Sequence, residues 1–265
     1  MRLQPHSPEW YDRLATVQDG YYYRWQSTLA PWNGEDSYLA LVQQHLRPDL
    51  DVLDVACGHG AVALHLAPHC RSVLGYDRVA RWITQAQQTA QQQGLTNATF
   101  VCHDSSLDAN GGQARLPATG PAFDLLICRR GPFHWVEDAR RVARPGATLL
   151  MLVPDARPAP PWNDWLPEPL RQRPNPDPQW ARTTIAQRLA VGQLALHSWW
   201  DFEVPEWFAA PAALYDFLTW GWAAEEVPAF IEIQPILARI FAEYGGPQGV
   251  EVRHVRHLWK AVVPG

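Results

Sequence analysis

Residues 52–67, VLDVACGHGAVALHLA, constrain this chain more than any other stretch. An apolar strand over residues 51–55 carries Asp54 near its end, a tight turn supplies Gly58 and Gly60, and a helix-forming run follows at once and stops at Pro68. Glycine lets backbone approach a ligand with no Cβ between them, and a new helix offers unpaired N–H groups at its start. That is the layout of a nucleotide-type cofactor site at the first strand-to-helix turn of a parallel α/β sheet.

The residues that follow keep the alternation. A strand over 73–76 leads to Asp77, and in 79–93 the apolar Val79, Trp82, Ile83, Ala86 and Ala90 recur at helical spacing before Gly94. A short strand over 99–102 ends at Asp104, and FDLLIC at 123–128 is a continuous apolar strand for the middle of a sheet covered on both faces. A short helix around 136–142 leads through Arg144-Pro145-Gly146 to an apolar strand over 148–153. Beyond it lies a proline-rich excursion, 154–178, too rich in proline for regular structure. A helix at about 183–194, a strand-like run over 196–208, helices over 212–220 and 228–244 and an alternating strand over 252–263 complete the chain. Residues 1–34, with Trp10, Tyr11, Tyr21, Tyr22, Tyr23, Trp25 and Trp32, read as an aromatic segment ahead of a domain over 35–265, which begins with a helix over 35–46. Helices over about 209–246 form a cap inserted before the last strand.

At 265 residues and 47% hydrophobic content the chain can bury a sizeable core. Its net charge of −5, with Lys260 the only lysine, gives no sign of a nucleic-acid partner. Cys57, Cys70, Cys102 and Cys128 have no disulfide-framework spacing, which points to reduced thiols and a cytoplasmic location. No apolar run approaches the roughly 18 residues of a membrane span. Cys57, Cys102 and Cys128 lie near His59, His103 and His134 at one sheet edge, but with no C-x-x-C or H-x-x-H spacing no metal site is expected.

Two cofactors compete for the opening turn. Gly58-His59-Gly60-Ala61-Val62-Ala63 satisfies the G-x-G-x-x-G/A dinucleotide pattern, with Asp77 at a suitable distance to hold a ribose. Against this, Asp54 would meet a pyrophosphate as an unwelcome carboxylate, whereas a positively charged amino-acid cofactor would be attracted to it. Asp104, followed by Ser105 and Ser106, adds hydrogen-bonding groups where an adenine edge would lie.

At these residues the chain resembles the class I S-adenosylmethionine-dependent methyltransferases, in order over roughly 52–153. DVACGHG resembles the first motif, with Ala56 where glycine is commoner, and GYDRVARWITQA the second-strand motif with its ribose-binding acid at Asp77. FVCHDSS resembles the third-strand segment with an adenine-binding acid at Asp104, and FDLLICRRGPFHW the fourth-strand edge. VARPGATLLMLVP resembles the fifth-strand L-x-P-G-G element, with Ala147 replacing a glycine. The resemblance implies a Rossmann-like methyltransferase fold of class α/β. Its seven-stranded, mostly parallel sheet would have an antiparallel last strand and helices on both faces.

It also implies site roles for S-adenosyl-L-methionine. Asp54, with the turn Ala56, Cys57, Gly58 and Gly60, would hold the methionine end and admit the ribose, whose hydroxyls Asp77 would accept. Arg78 would flank the adenine face, and Asp104 would accept from its exocyclic amine while the Ser105 N–H meets a ring nitrogen. The Cys128 or Arg129 carbonyl would receive the ammonium. Arg129, Arg130 and His134 follow the fourth strand, where family members often place substrate-facing groups, and His134 is the best general-base candidate, or else a buried hydrogen-bonded histidine. Tyr21-Tyr22-Tyr23 and Trp25 either cover a sheet edge or form a lid, in which Tyr21, Tyr22 and Trp25 would touch substrate together with Arg129 and His134.

The leading expectation is therefore an enzyme that transfers a methyl group from S-adenosylmethionine to a small-molecule acceptor by in-line displacement. An RNA methyltransferase is the main alternative, since Gly131-Pro132-Phe133 faintly resembles a [D/N]-P-P-[Y/F] base-gripping loop but lacks the acid or amide and one proline. An NAD-dependent oxidoreductase and a non-catalytic S-adenosylmethionine-binding protein are the others. Acceptor identity and oligomeric state are open.

Overall fold

Strands that are apolar along their whole length, without polar alternation, require cover on both faces, and the chain supplies it. The computed structural model describes residues 7–155, 158–173, 177 and 179–265. Residues 1–6 of the expected aromatic segment and 156–157, 174–176 and 178 of the expected excursion lie outside them.

The helices are α1 (Pro8–Val17), α2 (Glu35–His45), α3 (Ala61–Leu66), α4 (Ala80–Gln92), α5 (Ala139–Val142), α6 (Trp180–Val191), α7 (Pro211–Thr219) and α8 (Phe230–Tyr244). The strands are β1 (Thr28–Leu29), β2 (Asp51–Val55), β3 (Ser72–Asp77), β4 (Ala98–Cys102), β5 (Phe123–Arg129), β6 (Ala143–Asp155), β7 (Ala195–Phe208), β8 (Gly245–Gly246) and β9 (Gly249–Val262). They form one sheet in the order β1-β7-β9-β6-β5-β2-β3-β4, with β8 folded back on β9. Strands β2 to β6 are mutually parallel, β9 runs antiparallel to β6, and β7 antiparallel to β9. Of the seven long strands only β9 opposes the rest. The two additions to the expected seven, β1 and β8, are two residues each.

Strand order reverses beside β2, with β3 on one side and β5 on the other. Ligands of open α/β sheets bind in the crevice beyond the carboxyl ends of the strands at such a switch point. Helices α2, α3 and α4 cover one face, where Tyr38, Val42, Leu66, Ile83 and Ala86 pack with Leu125, Ile127 and Leu150. On the other face Trp135, Val142, Ile185 and Leu189 pack with Leu53, Leu126, Leu149 and Trp259. The far halves of β7 and β9 outrun the sheet and, with α7, α8 and Trp162, close a second core around Phe208, Leu214, Leu237 and Val250.

Local chemistry explains the remaining departures. Helix α1 begins where Ser7 accepts the Trp10 N–H at 3.2 Å and Pro8 takes the first turn, a start signal present in the sequence. The helix expected around 136–142 is a 3₁₀ turn, His134–Glu137, followed by the single turn of α5. Arg144-Pro145-Gly146 is absorbed into β6 because the β5–β6 register shifts there, with Gly146 at φ 80°.

Candidate functional site

The turn after β2 is built by backbone conformations that side chains disfavour. Ala56 (φ 52°), Gly58 (φ 57°) and Gly60 (φ 80°) are all left-handed, a conformation that glycine adopts without strain and that strains the alanine at 56. A Cβ on Gly60 would lie 2.7 Å from the Phe100 ring and 2.9 Å from the Ala86 Cβ, so α3 starts in contact with β4 and α4. Gly131 plays the same part across the switch point: a Cβ there would meet the Cys128 sulfur at 2.6 Å and the Ala56 Cβ at 3.0 Å. The loop after β5 therefore closes directly onto the turn after β2.

Three acids stand at the carboxyl ends of β2, β3 and β4. Asp77 is buried and held by two backbone donors, with Gly58 N–H on Oδ2 and Val79 N–H on Oδ1, each at 2.9 Å. Each oxygen keeps a second acceptor site, which suits a vicinal diol. Burial raises the Asp77 pKa against those two hydrogen bonds. Asp54 is also buried, its Oδ2 accepting the Ala63 N–H at 3.2 Å, and burial pushes its pKa up to about 7 although Arg129 pulls it down. Such a carboxylate gains from a cation brought beside it. Asp104 is more open; burial raises its pKa, but hydrogen bonds from Ser106 and the charge of Arg78 outweigh that and leave it low.

The donor set fits an adenosyl amino acid: one acid oriented for a diol, one for a cationic end and one for an amine edge, around a turn with little side-chain bulk. The hydroxyl of Tyr38, fully buried on α2 and subject to the charge of Asp54, has no hydrogen-bond partner among the described residues. A polar ligand end beside Asp54 would suit that hydroxyl as well.

Arg78 is tied to the N-terminal helix. Its guanidinium forks onto Asp12 of α1 (3.0 and 3.2 Å) and donates to the Pro8 carbonyl (2.8 Å), with Asp104 3.5 Å from its Nε. It latches the N-terminal helix to the end of β3, since a bidentate carboxylate suits its planar fork. Arg81 holds the other end of α1 through the Ala15 and Thr16 carbonyls.

The latched segment runs over the glycine turn. The Tyr21 N–H donates to Nδ1 of His59 at 3.2 Å, and Gly20 leaves room for that imidazole, whose Nδ1 lies 2.8 Å from where a Cβ would be. Tyr21 then enters an aromatic cluster with Tyr11, Tyr23, Trp82 and Trp220. Tyr23 stacks on Trp25 at 4.5 Å, and Trp25 meets Phe217 and Trp220 of the cap edge-on. Tyr22, expected to touch substrate, turns outward and donates to Asp19. Trp25 is anchored by its Nε1 on Glu206, which also accepts from Ser27 and pairs with His254; burial opposes the ionised form, but those partners hold its pKa at about 2.

Arg129 and Arg130 both pair with Glu35, the first residue of α2, and Arg130 also donates to the Tyr23 hydroxyl at 2.8 Å. His134 places Nε2 2.9 Å from the Ser105 hydroxyl, which receives the Tyr76 O–H at 3.0 Å. Burial, opposed by Asp104, lowers the His134 pKa. Glu35, Glu206 and Arg256 were not singled out as site residues by sequence, and no spacing rule could have found them, since each is brought in by a different element.

Comparison with known proteins agrees with this geometry. A family described as "Methyltransferase domain" matches residues 52–150. A 2-heptyl-1-hydroxyquinolin-4(1H)-one methyltransferase of Mycobacteroides abscessus is 33% identical over 138 residues, 49% of this chain and 59% of that protein. A 23S rRNA (uracil(1939)-C(5))-methyltransferase of Xanthomonas axonopodis is 37% identical over 81 residues, 31% of this chain and 17% of that protein. The chain thus spans under two thirds of the length of these relatives. Among solved structures, a functionally unknown protein from Deinococcus radiodurans superposes with a TM-score of 0.62 at 22% identity, covering 96% of this chain and 98% of that one. A putative methyltransferase from Bacillus halodurans gives 0.58 at 19% identity, covering 87% and 100%. At such identities these two likenesses establish the fold.

Proposed function

We propose that the chain, whose residues 52–150 match a methyltransferase-domain family, acts as a class I S-adenosylmethionine-dependent methyltransferase and transfers a methyl group to a small, planar aromatic acceptor held under the N-terminal segment. One observation carries the reading. Tyr21 links the two halves of the site, fastened to His59 of the glycine turn by its backbone and to Trp220 of the cap by its ring.

In this reading Asp77 holds the ribose, Asp104 and the Ser105 N–H the adenine edge, and Asp54 with the Cys128 or Arg129 carbonyl the ammonium. S-Adenosylmethionine supplies an electrophilic methyl group on a sulfonium. The chain's residues do the rest. Asp54 and Asp104 hold the donor by its two ends and Asp77 by its ribose, which turns a bimolecular encounter into an oriented one. The half-buried rings of Tyr21, Trp25 and Trp220, with Tyr23 at the exposed rim, limit water and present π faces to a planar ring and to positive charge. Arg130 and the Tyr23 hydroxyl supply the polar groups that orient the acceptor. His134, tied to Ser105, is assigned the second of its two sequence readings, a hydrogen-bonded histidine that holds the adenine-side segment in place.

A small acceptor is favoured by the aromatic enclosure and by the acidic net charge, and a quinolone-type ring is the first to try because the Mycobacteroides relative is named for one. No described helix is long and apolar enough to cross a membrane, and the free cysteines suit a cytoplasmic setting. The test is calorimetry with S-adenosylmethionine followed by incubation with 2-heptyl-1-hydroxyquinolin-4(1H)-one and, separately, total RNA. S-Adenosylhomocysteine formed only with the quinolone supports the reading. Formation only with RNA, or tight NAD binding with none for S-adenosylmethionine, overturns it.

A further inference from the structure

We propose that the chain carries an oxyanion-binding subsite, centred on Arg130 and Arg256, that selects acceptors bearing a carboxylate or comparable oxyanion. The proposal rests on the methyltransferase reading above. Three guanidiniums, those of Arg129, Arg130 and Arg256, converge on the single carboxylate of Glu35. Arg130 and Arg256 are buried, with side chains 12% and 8% exposed. Among the described residues no other carboxylate lies within ion-pair distance of the three. The residues outside the described set, MRLQPH, AR, PNP and Pro178, contain no acid. Glu206 acts on Arg256 only at longer range and is already engaged by Trp25, Ser27 and His254. Buried charge is normally balanced by a partner at hand, so this cluster has unmatched positive charge.

The surplus faces the acceptor side. Arg129 acts electrostatically on Asp54 and His59, the groups of the donor turn. Arg130 is instead aimed by its left-handed backbone (φ 64°) at the Tyr23 hydroxyl, with its guanidinium 5.3 Å from that ring. Arg256 acts on Arg130, Glu35 and Tyr23. A planar acid stacked against the Tyr23–Trp25 pair would bring its oxyanion to the guanidinium fork, whose geometry matches a carboxylate.

The experiment is calorimetry on the full chain with two aromatic probes, 1-naphthoate and its neutral isostere 1-naphthamide, with and without saturating S-adenosylhomocysteine. The acid is expected to bind at least tenfold more tightly than the amide, and Arg130→Gln to bring that ratio near one while leaving S-adenosylhomocysteine affinity within twofold. Glu35→Gln removes the internal anion but no guanidinium, so it is expected to tighten naphthoate at least threefold, a change that a damaged fold cannot produce. Equal affinity for acid and amide, no naphthoate binding, or unchanged naphthoate affinity in Glu35→Gln overturns the proposal. A tenfold loss of S-adenosylhomocysteine affinity in Arg130→Gln with the probe ratio preserved also overturns it, and assigns the cation to the donor's own carboxylate. Failure of the unmodified chain to bind S-adenosylhomocysteine rejects the methyltransferase reading, and the acid-to-amide ratio is then read on the chain alone.

Discussion

The Tyr21 N–H donates to Nδ1 of His59 across 3.2 Å, so the N-terminal aromatic segment is fastened to the middle residue of the Gly58–Gly60 turn. Helix α1 is fastened to the same region by the Arg78–Asp12 pair and by Arg81. The N-terminal cover and the glycine turn are thus fastened together.

An acceptor Nδ1 has to be unprotonated. Burial lowers the His59 pKa, with Asp19 opposing and Arg129 assisting. The neutral imidazole therefore contributes stability that is fully present above about pH 6.5 and lost as pH falls through the lowered folded value. His59→Ala is expected to reduce hydrogen-exchange protection of the Tyr21 amide at pH 7.5 by about three- to tenfold, the weight of one hydrogen bond of about 1 kcal/mol. In the unmodified chain the same protection, corrected for intrinsic exchange, falls as pH drops below about 6.5 and through the lowered folded value. Protection independent of both changes would exclude the fastening role.

Asp77→Ala removes the acceptor pair assigned to the ribose and is expected to weaken S-adenosylhomocysteine binding by about 2–4 kcal/mol. Calorimetry beside a thermal melt separates this from loss of the Gly58 and Val79 hydrogen bonds. Undiminished affinity would reject the ribose assignment.

Asp54 works against stability for the sake of the site. With its pKa raised to about 7, the folded chain holds a proton that the unfolded chain releases near pH 4. Stability therefore falls as pH rises from about 4 to 7. Asp54→Asn is expected to be more stable than the parent at pH 8 by roughly 2–4 kcal/mol and little different at pH 4, with weakened donor affinity. Urea titrations at the two pH values measure the difference; equal stability at both would show that the carboxyl is not destabilised by burial.

Gly60→Ala places a Cβ against Phe100 and Ala86 at φ 80°, and a loss of about 2–4 kcal/mol is expected. Gly94→Ala has a similar φ of 66° with nothing within 4 Å and should cost only about 1 kcal/mol. Equal losses would mean that backbone conformation alone sets the cost.

His134→Ala tests positioning against proton transfer. A positioning group linked to Ser105 predicts weaker donor affinity and a pH–kcat profile of unchanged shape. A general base predicts intact donor affinity with loss of the acid limb of that profile.

The chain order of strands and helices, the glycine turn and the acids Asp54, Asp77 and Asp104 were legible in the sequence because they are local. Periodicity shows a buried strand or a helix face, and a turn needing positive φ calls for glycine within a few residues. Helix α1 was legible too, through Ser7, Pro8 and the Trp10–Leu14 spacing, but the density of aromatics in that segment suggested an irregular cover.

What the sequence by itself determined is the row of acids at the carboxyl edge of the sheet, since Asp54, Asp77 and Asp104 follow from where each strand stops. Only the tertiary structure decided what gathers around them. It turned Tyr21 inward and Tyr22 outward, committed Arg78 to Asp12, and brought Arg130 and Arg256 to Glu35 across the chain. The reason is physical. Local stereochemistry is written in neighbouring residues, whereas the choice of a charge or ring partner depends on which groups the assembled core removes from water together, where Coulomb attraction and desolvation are strong enough to select one arrangement.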